Sequence, residues 1–260
     1  MRHLGTIISK EWAETIRNRL LLAGIFVMPA IFLLVTLGIL AVSTSGPVDQ
    51  ATLAPYVARS PELAALEPRE AFQIVLVNEF LFLFLLTPSV IPMTLASYSI
   101  IGEKQARSLE PLLATPISTT ELLFGKAVAA IIPAVVVTWL AYSLYLVGAR
   151  LIASDHVLGV LLSATWLLAI LVIGPLIGVL SVLIGVIISS RFNDTRVAQQ
   201  LGGLIALPIA GFGVAQASGA LLVDLSSFAA GTALLLAIDA LVFFSAVRLF
   251  QRDRILTQWK

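Results

Sequence analysis

Along this chain apolar residues gather into six long blocks separated by short polar stretches. The blocks cover residues 20–42, 74–101, 122–149, 157–189, 197–217 and 226–250. Each reaches or exceeds the roughly 20 residues with which a helix crosses a hydrocarbon layer about 30 Å thick. The pattern predicts an all-α integral membrane protein of six transmembrane helices, folded as one domain over residues 1–260. The block at 157–189 is longer than a straight crossing requires, so tilt, a kink or an extension into water is expected, with Gly174-Pro175 as the natural kink. Pro29, Pro88, Pro92, Pro133 and Pro208 also fall inside blocks. Pro88 and Pro92 should bend their helix or leave carbonyls free for other donors.

Ahead of the first block, residues 1–19 have a different period. Leu4, Ile7, Ile8, Trp12 and Ile16 share one helical face, and Lys10, Glu14 and Arg17 share another. This predicts an amphipathic helix lying in the membrane interface, with Trp12 at headgroup depth. A basic flank on the first span would read the same way. The 20–42 block is much longer than a signal-peptide core, so it is read as a retained helix. Residues 43–73 form an external loop, rich in proline and acid, where Ser60-Pro61 and Pro68 suit helix starts.

Charge supplies the orientation. Arg2, Lys10, Arg17, Arg19, Lys104, Arg107, Lys126, Arg191, Arg196, Arg248, Arg252, Arg254 and Lys260 all fall on one side of a six-span topology. Arg59, Arg69 and Arg150 fall on the other, so both termini are expected to be cytoplasmic. A hairpin at Gly174-Pro175 would send Arg191, Arg196 and the basic C-terminus outward, and the bias argues against it. With 59% hydrophobic and 12% charged residues the composition lies outside the soluble range, and a net charge of +1 leaves no basic surface for nucleic acid. The absence of cysteine excludes disulfides, thiol nucleophiles and Cys-based metal sites.

Two stripes of small residues mark close-packing faces. Gly174, Gly178, Ser181 and Gly185 form one, and Gly202, Ala206, Ala210, Gly213 and Ala217 the other. Packing within the chain and a subunit interface are both open. The one sizeable polar interruption in mid-chain is 102–121, a cytoplasmic loop. Glu103 to Leu113 has helical composition, with Leu109, Leu112 and Leu113 gathered on one side, a pattern that profits only from contact with protein. Thr115-Pro116 closes it, and Ser118 with Glu121 makes a capping box leading into the third span.

The run GEKQARSLEPLLATPISTTELLFGK, residues 102–126, resembles the signature between spans 2 and 3 of ABC-2 type transporter permeases. The resemblance extends at lower detail to the amphipathic N-terminal helix, span 1 and the six-span layout. It implies the transmembrane half of an ATP-driven exporter, with two permease chains, as a homo- or heterodimer, and two ABC ATPase subunits. It further implies a first coupling helix that contacts the ATPase through Glu103, Arg107, Leu109, Glu110, Leu112, Leu113, Thr115 and Pro116. A second contact falls on Arg191, Phe192, Asn193 and Asp194. One departure is that only about 218–225 separates spans 5 and 6, where family members often carry re-entrant helices.

The chain encodes no ATP site of its own. Gly125-Lys126 is its sole Gly-Lys pair, and a P-loop would need glycine at Thr120 and Ser or Thr at Ala127. No cofactor is therefore expected in this chain, with ATP and Mg held by the partner. Within the spans, Asp239 is a pathway candidate because a mid-membrane carboxylate is costly, and a protonated aspartate joining helices is the alternative. Glu79, near the outer end of span 2, is the second candidate, though simple access to water explains it more readily. His3 and His156 lie on opposite sides and share no metal motif. An intramembrane enzyme would need a convergent nucleophile, base or metal site that the spans lack. An anchor for an ATPase without cargo stays open.

Overall fold

A computed structural model describes residues 4–45, 48, 50–58, 60–107, 117–218 and 224–249. Among these no strand occurs, and six helices are long and apolar enough to cross a membrane. Helix α1 spans Leu4–Arg17 and α2 spans Arg19–Val42. Between them Asn18 takes an extended conformation and its side chain accepts from the N–H groups of Leu20 and Leu21, capping α2. On the opposite side lie the short α3, Gln50–Val57, and a 3-10 turn at Pro61–Ala65. Helix α4 then runs unbroken from Pro68, at its first turn, to Gln105.

Helix α5 is Thr119–Ile152, capped by Ser118, whose hydroxyl accepts from the Glu121 N–H at 3.1 Å. The long fourth block folds as α6, Asp155–Leu161, then α7, Ala164–Leu168, a π-helical turn at Ala169–Ile173, and α8, Gly174–Arg191. No hairpin forms at Gly174-Pro175. The excess length becomes a break at Leu162-Ser163 and a change of register before the proline. In the π turn the Gly174 N–H pairs with the Ala169 carbonyl, five residues back. The next donor in that register would be residue 175, a proline, which leaves the Ile170 carbonyl over. The indole of Trp139 donates to it at 3.1 Å.

The fifth span is likewise divided, into α9, Thr195–Gly202, a 3-10 turn at Gly203–Ile205 and α10, Ala206–Ala217. Helix α11, Leu225–Leu249, completes the bundle. Helix α4 is its axis. Of its most apolar window 61% of residues are buried, against 22% for α2, 17% for α9 and α10, and 11% for α11. The peripheral helices therefore turn most of their surface to lipid or to another chain.

Both glycine stripes are used within the chain. The first brings α8 against α4, where a Cβ on Gly178 would meet Pro88 and Pro92, and one on Gly185 would lie 2.8 Å from Met93 Sδ. The Ser181 hydroxyl donates to the Ser89 carbonyl between them. Gly202 and Gly213 of the second stripe close on Met93 and Phe82 of the same helix.

Two apolar cores result. One, toward α3, centres on Phe84, Tyr142, Tyr145 and Trp166, whose rings lie 5.3–6.4 Å apart. The other, toward α1, joins Ile7, Ile25, Ile100, Leu122, Ala134 and Val186.

Candidate functional site

The end of the bundle that carries α1 also carries most of its charge, and the last turn of α4 lies at its centre. There Glu103 faces α1 and α5, whereas Lys104 and Gln105 face the end of α8 and the turn after it. The Glu103 carboxylate, 7% exposed, is bonded to Lys10 of α1 and lies 2.9 Å from Lys126 of α5. Lys126, 3% exposed, also reaches Glu11 of α1 at 2.7 Å and the Ser99 hydroxyl at 2.5 Å. Lys104 donates to the carbonyls of Ser189 at 2.5 Å, Ser190 at 2.9 Å and Phe192 at 3.5 Å. These are carbonyls that the end of α8 leaves without intrahelical donors, and a cation there also suits the helix dipole. Gln105 donates to the Asn193 carbonyl at 3.1 Å.

Why α1 docks so closely follows from two adjacent residues of α5. A Cβ on Gly125 would lie 2.9 Å from Ile7, so only glycine lets the two helices approach this far. Lys126, next in sequence, meets Glu11 one turn further along α1. The Gly-Lys pair that serves no phosphate is thus the seat of the N-terminal helix. Trp12 adds a third tie by donating to the Ala129 carbonyl at 3.0 Å. Pro133, four residues on, has no N–H to offer that carbonyl. The docked face is therefore Ile7 with Glu11, while Ile16 stays exposed, which differs from the simple apolar-against-polar division of the sequence pattern. The physical reason is the buried lysine, which draws a carboxylate inward.

Electrostatics follow the geometry. Burial works against a charged Glu11, but the charge and hydrogen bond of Lys126, with Ser99 and Lys10, outweigh it and hold the carboxyl below its usual 4.5. Burial likewise disfavours a charged Lys10, yet Glu103, Glu11 and Glu14 hold it above its usual 10.5. All the buried charges here are paired, which fixes the orientation of α1 more than it stabilises the fold.

The sequence expectation placed a helix from Glu103 onward. Instead α4 runs through Glu103 and stops at Gln105, and Arg107 turns the chain away in a left-handed conformation, φ 52°. Arg107 is exposed, as are Arg191, Phe192, Asn193 and Asp194, the last capping α9 through the Arg196 N–H at 2.7 Å. The structure thus brings Arg107 and the 191–194 turn to one end of the bundle. Leu109, Glu110, Leu112, Leu113, Thr115 and Pro116 lie outside the described residues. Glu103 faces α1 and α5 within the chain.

The two pathway candidates lie elsewhere and apart. Glu79 is half-buried toward the opposite end and accepts a hydrogen bond from Tyr56 of α3, whose hydroxyl also lies 2.8 Å from the Ala217 carbonyl. Asp239 sits well within α11, 7% exposed, and neither carboxylate oxygen has a hydrogen-bond partner among the described residues. Among those residues no group of three or more His, Asp or Glu could hold a metal.

Sequence reasoning passed over Lys10, Glu11, Ser99 and Lys126. A signal was present for one of them, since Lys126 stands five residues into an apolar span, where a lysine calls for a partner. Nothing in the one-dimensional pattern pointed to Glu11 as that partner.

The model of one protein family, described as ABC-2 family transporter protein, matches residues 5–248. The match takes in α1, all six spans and the charged cluster. No curated protein matches the chain.

Proposed function

The chain belongs to the ABC-2 family of transporters, and from that premise we propose that it is the membrane half of an ATP-driven exporter, coupled at its α1 end to a separate ATPase subunit. The family makes it a transport subunit and not itself an enzyme. The observation that carries the coupling reading is the divergence at Glu103, Lys104 and Gln105. A force applied just beyond them at Arg107 reaches α1 and α5 through Glu103, the end of α8 through Lys104, and the 191–194 turn through Gln105.

In this reading ATP and Mg are bound by the ATPase, whose closure moves the segment after Arg107. Leu109, Glu110, Leu112, Leu113, Thr115 and Pro116 supply its docking face, with Arg191, Phe192, Asn193 and Asp194 as a second contact. The root of α4 passes the motion to α1 and α5 because the buried charge of Glu103 cannot slide without leaving Lys10 and Lys126 unpaired, and to the end of α8 and the turn after it through the hydrogen bonds of Lys104 and Gln105. The bias of Lys and Arg toward this end supports a reading in which it, and both termini, face the cytoplasm of a cell that carries the protein in its plasma or inner membrane. The large lipid-facing share of α2, α10 and α11 favours a second permease chain beside the first. Asp239 and Glu79 are the pathway residues of this proposal, and nucleic acid has no part in it.

The test is affinity purification from native membranes followed by mass spectrometry. An ATPase with a P-loop should accompany the wild-type chain in equal amount and be lost with Leu112→Asp or Leu113→Asp while insertion is retained. Normal co-purification in both variants would remove the coupling assignment, and a chain that arrives with no ATPase would remove the transporter reading.

A further inference from the structure

At the elbow between α1 and α2 lies an open hollow of about 570 Å³, lined by Glu14, Arg17, Asn18, Arg19, Leu20 and Tyr98. Arg17 ends α1, Arg19 begins α2, and both are exposed. Neither guanidinium has an ion-pair or hydrogen-bond partner among the described residues. Glu14, the acid of the hollow, is engaged by Lys10 at 3.3 Å. Tyr98, from α4, accepts from the Asn18 side-chain amide at 2.8 Å, which leaves its own hydroxyl hydrogen to donate. The hollow lies at the N-terminus of α2, where the helix dipole also favours negative charge. Its border is apolar, with Ile16 63% and Leu20 82% exposed.

We infer that the α1–α2 elbow binds the headgroup phosphate of an anionic membrane lipid, with Arg17 and Arg19 as counter-charges and Tyr98 as a neutral donor. The inference needs only that the six helices cross a bilayer and stands apart from the ATPase reading. Each guanidinium is a planar fork that matches a pair of phosphate oxygens, and two of them converge on one hollow. The border decides which phosphate enters. Leu20 opens the first span, so the hollow lies at headgroup depth, and acyl chains carried by the phosphate run down beside Leu20 and the exposed face of α2. A soluble phosphate would meet the charge and leave that apolar border uncovered. A zwitterionic headgroup brings a cation of its own, which the two arginines repel and for which Glu14, held by Lys10, is not free. A bound headgroup thus ties α1, α2 and α4 together at one point.

The experiment titrates the full chain, in a neutral detergent, with dioctanoyl phosphatidylglycerol, and compares dioctanoyl phosphatidylcholine and inorganic phosphate. Saturable binding of the anionic lipid is expected, about tenfold tighter than that of the zwitterionic one. An excess of inorganic phosphate should leave it in place. Two variants separate a built site from general attraction to a basic flank, because both keep every charge that orients the chain. Replacing the forks with point charges, Arg17→Lys with Arg19→Lys, should weaken binding about fivefold. Tyr98→Phe, which removes one neutral donor, should weaken it about threefold. A melting temperature without lipid near that of wild type in the lysine variant excludes misfolding as the cause. Equal affinity for the two lipids, or affinity for phosphatidylglycerol unchanged in both variants, would overturn the site. Displacement of the lipid by inorganic phosphate would assign the hollow to a soluble anion and overturn the lipid as its occupant.

Discussion

Glu103 and Asp239 are carboxylates of the same bundle, equally buried at 7% exposure, and their surroundings are opposite. Glu103 has a lysine on either side, from α1 and α5. Asp239 has no hydrogen-bonding or ionic partner among the described residues. The difference teaches how to read a buried charge in a membrane helix. Where the chain supplies the counter-charge, the group is architecture, and it tells which helices move together. Where the chain supplies none, the free energy of desolvation opposes the charged form.

Removing Lys126 would break the architectural side of this comparison most severely. Lys126→Met leaves Glu11 and Glu103 short of a buried counter-charge, at a cost of about 3–5 kcal/mol. A large drop in melting temperature in detergent should result, with α1 released to protease. The same measurement on Asp239→Asn should show no drop, and equal destabilisation of the two variants would erase the distinction. Trp12→Phe is smaller. It removes one indole donor from the Ala129 carbonyl and should cost about 1 kcal/mol, read as a modest fall in melting temperature without loss of the bundle.

Acid sharpens the comparison further. Glu11 titrates below 4.5 in the folded chain, so its contribution is complete above that value and is lost as pH falls through the depressed folded one. Lys10 titrates above 10.5, so its contribution is complete below that value and is lost only as pH rises through the raised one. Melting temperature should therefore stay level through neutral pH and fall in acid, with a shallower acid limb in Glu11→Gln. An unchanged limb would mean that Glu11 is not held in the charged form by Lys126.

Most of the architecture could be read from the chain. Six apolar blocks, the amphipathic start, the Ser118 cap and the use of Gly178 and Gly185 for close packing all follow from local pattern, because a membrane helix must satisfy its own backbone and can pack tightly only through small residues. What escaped was long-range. Freed carbonyls were expected at Pro88 and Pro92, whereas the indoles of Trp12 and Trp139, distant in sequence, take the Ala129 and Ile170 carbonyls left by Pro133 and Pro175. Lys126 announced a buried cation, but only folding places Glu11, 115 residues away, against it. Asp239 was legible as costly, while the cavity lined by Ile177, Phe212 and Leu235 depends on how α8, α10 and α11 cross.

The central claim is that the segment beyond Gln105 is where a separate ATPase grips the bundle. Because the chain has no cysteine, a single Arg107→Cys variant can carry a photo-crosslinker at one defined point in native membranes. The account predicts an adduct with a P-loop ATPase, formed from the cytoplasmic side and absent from a Ser45→Cys control at the opposite end. Adducts from Arg107→Cys with other proteins only, or labelling of that site from outside the cell, would contradict it.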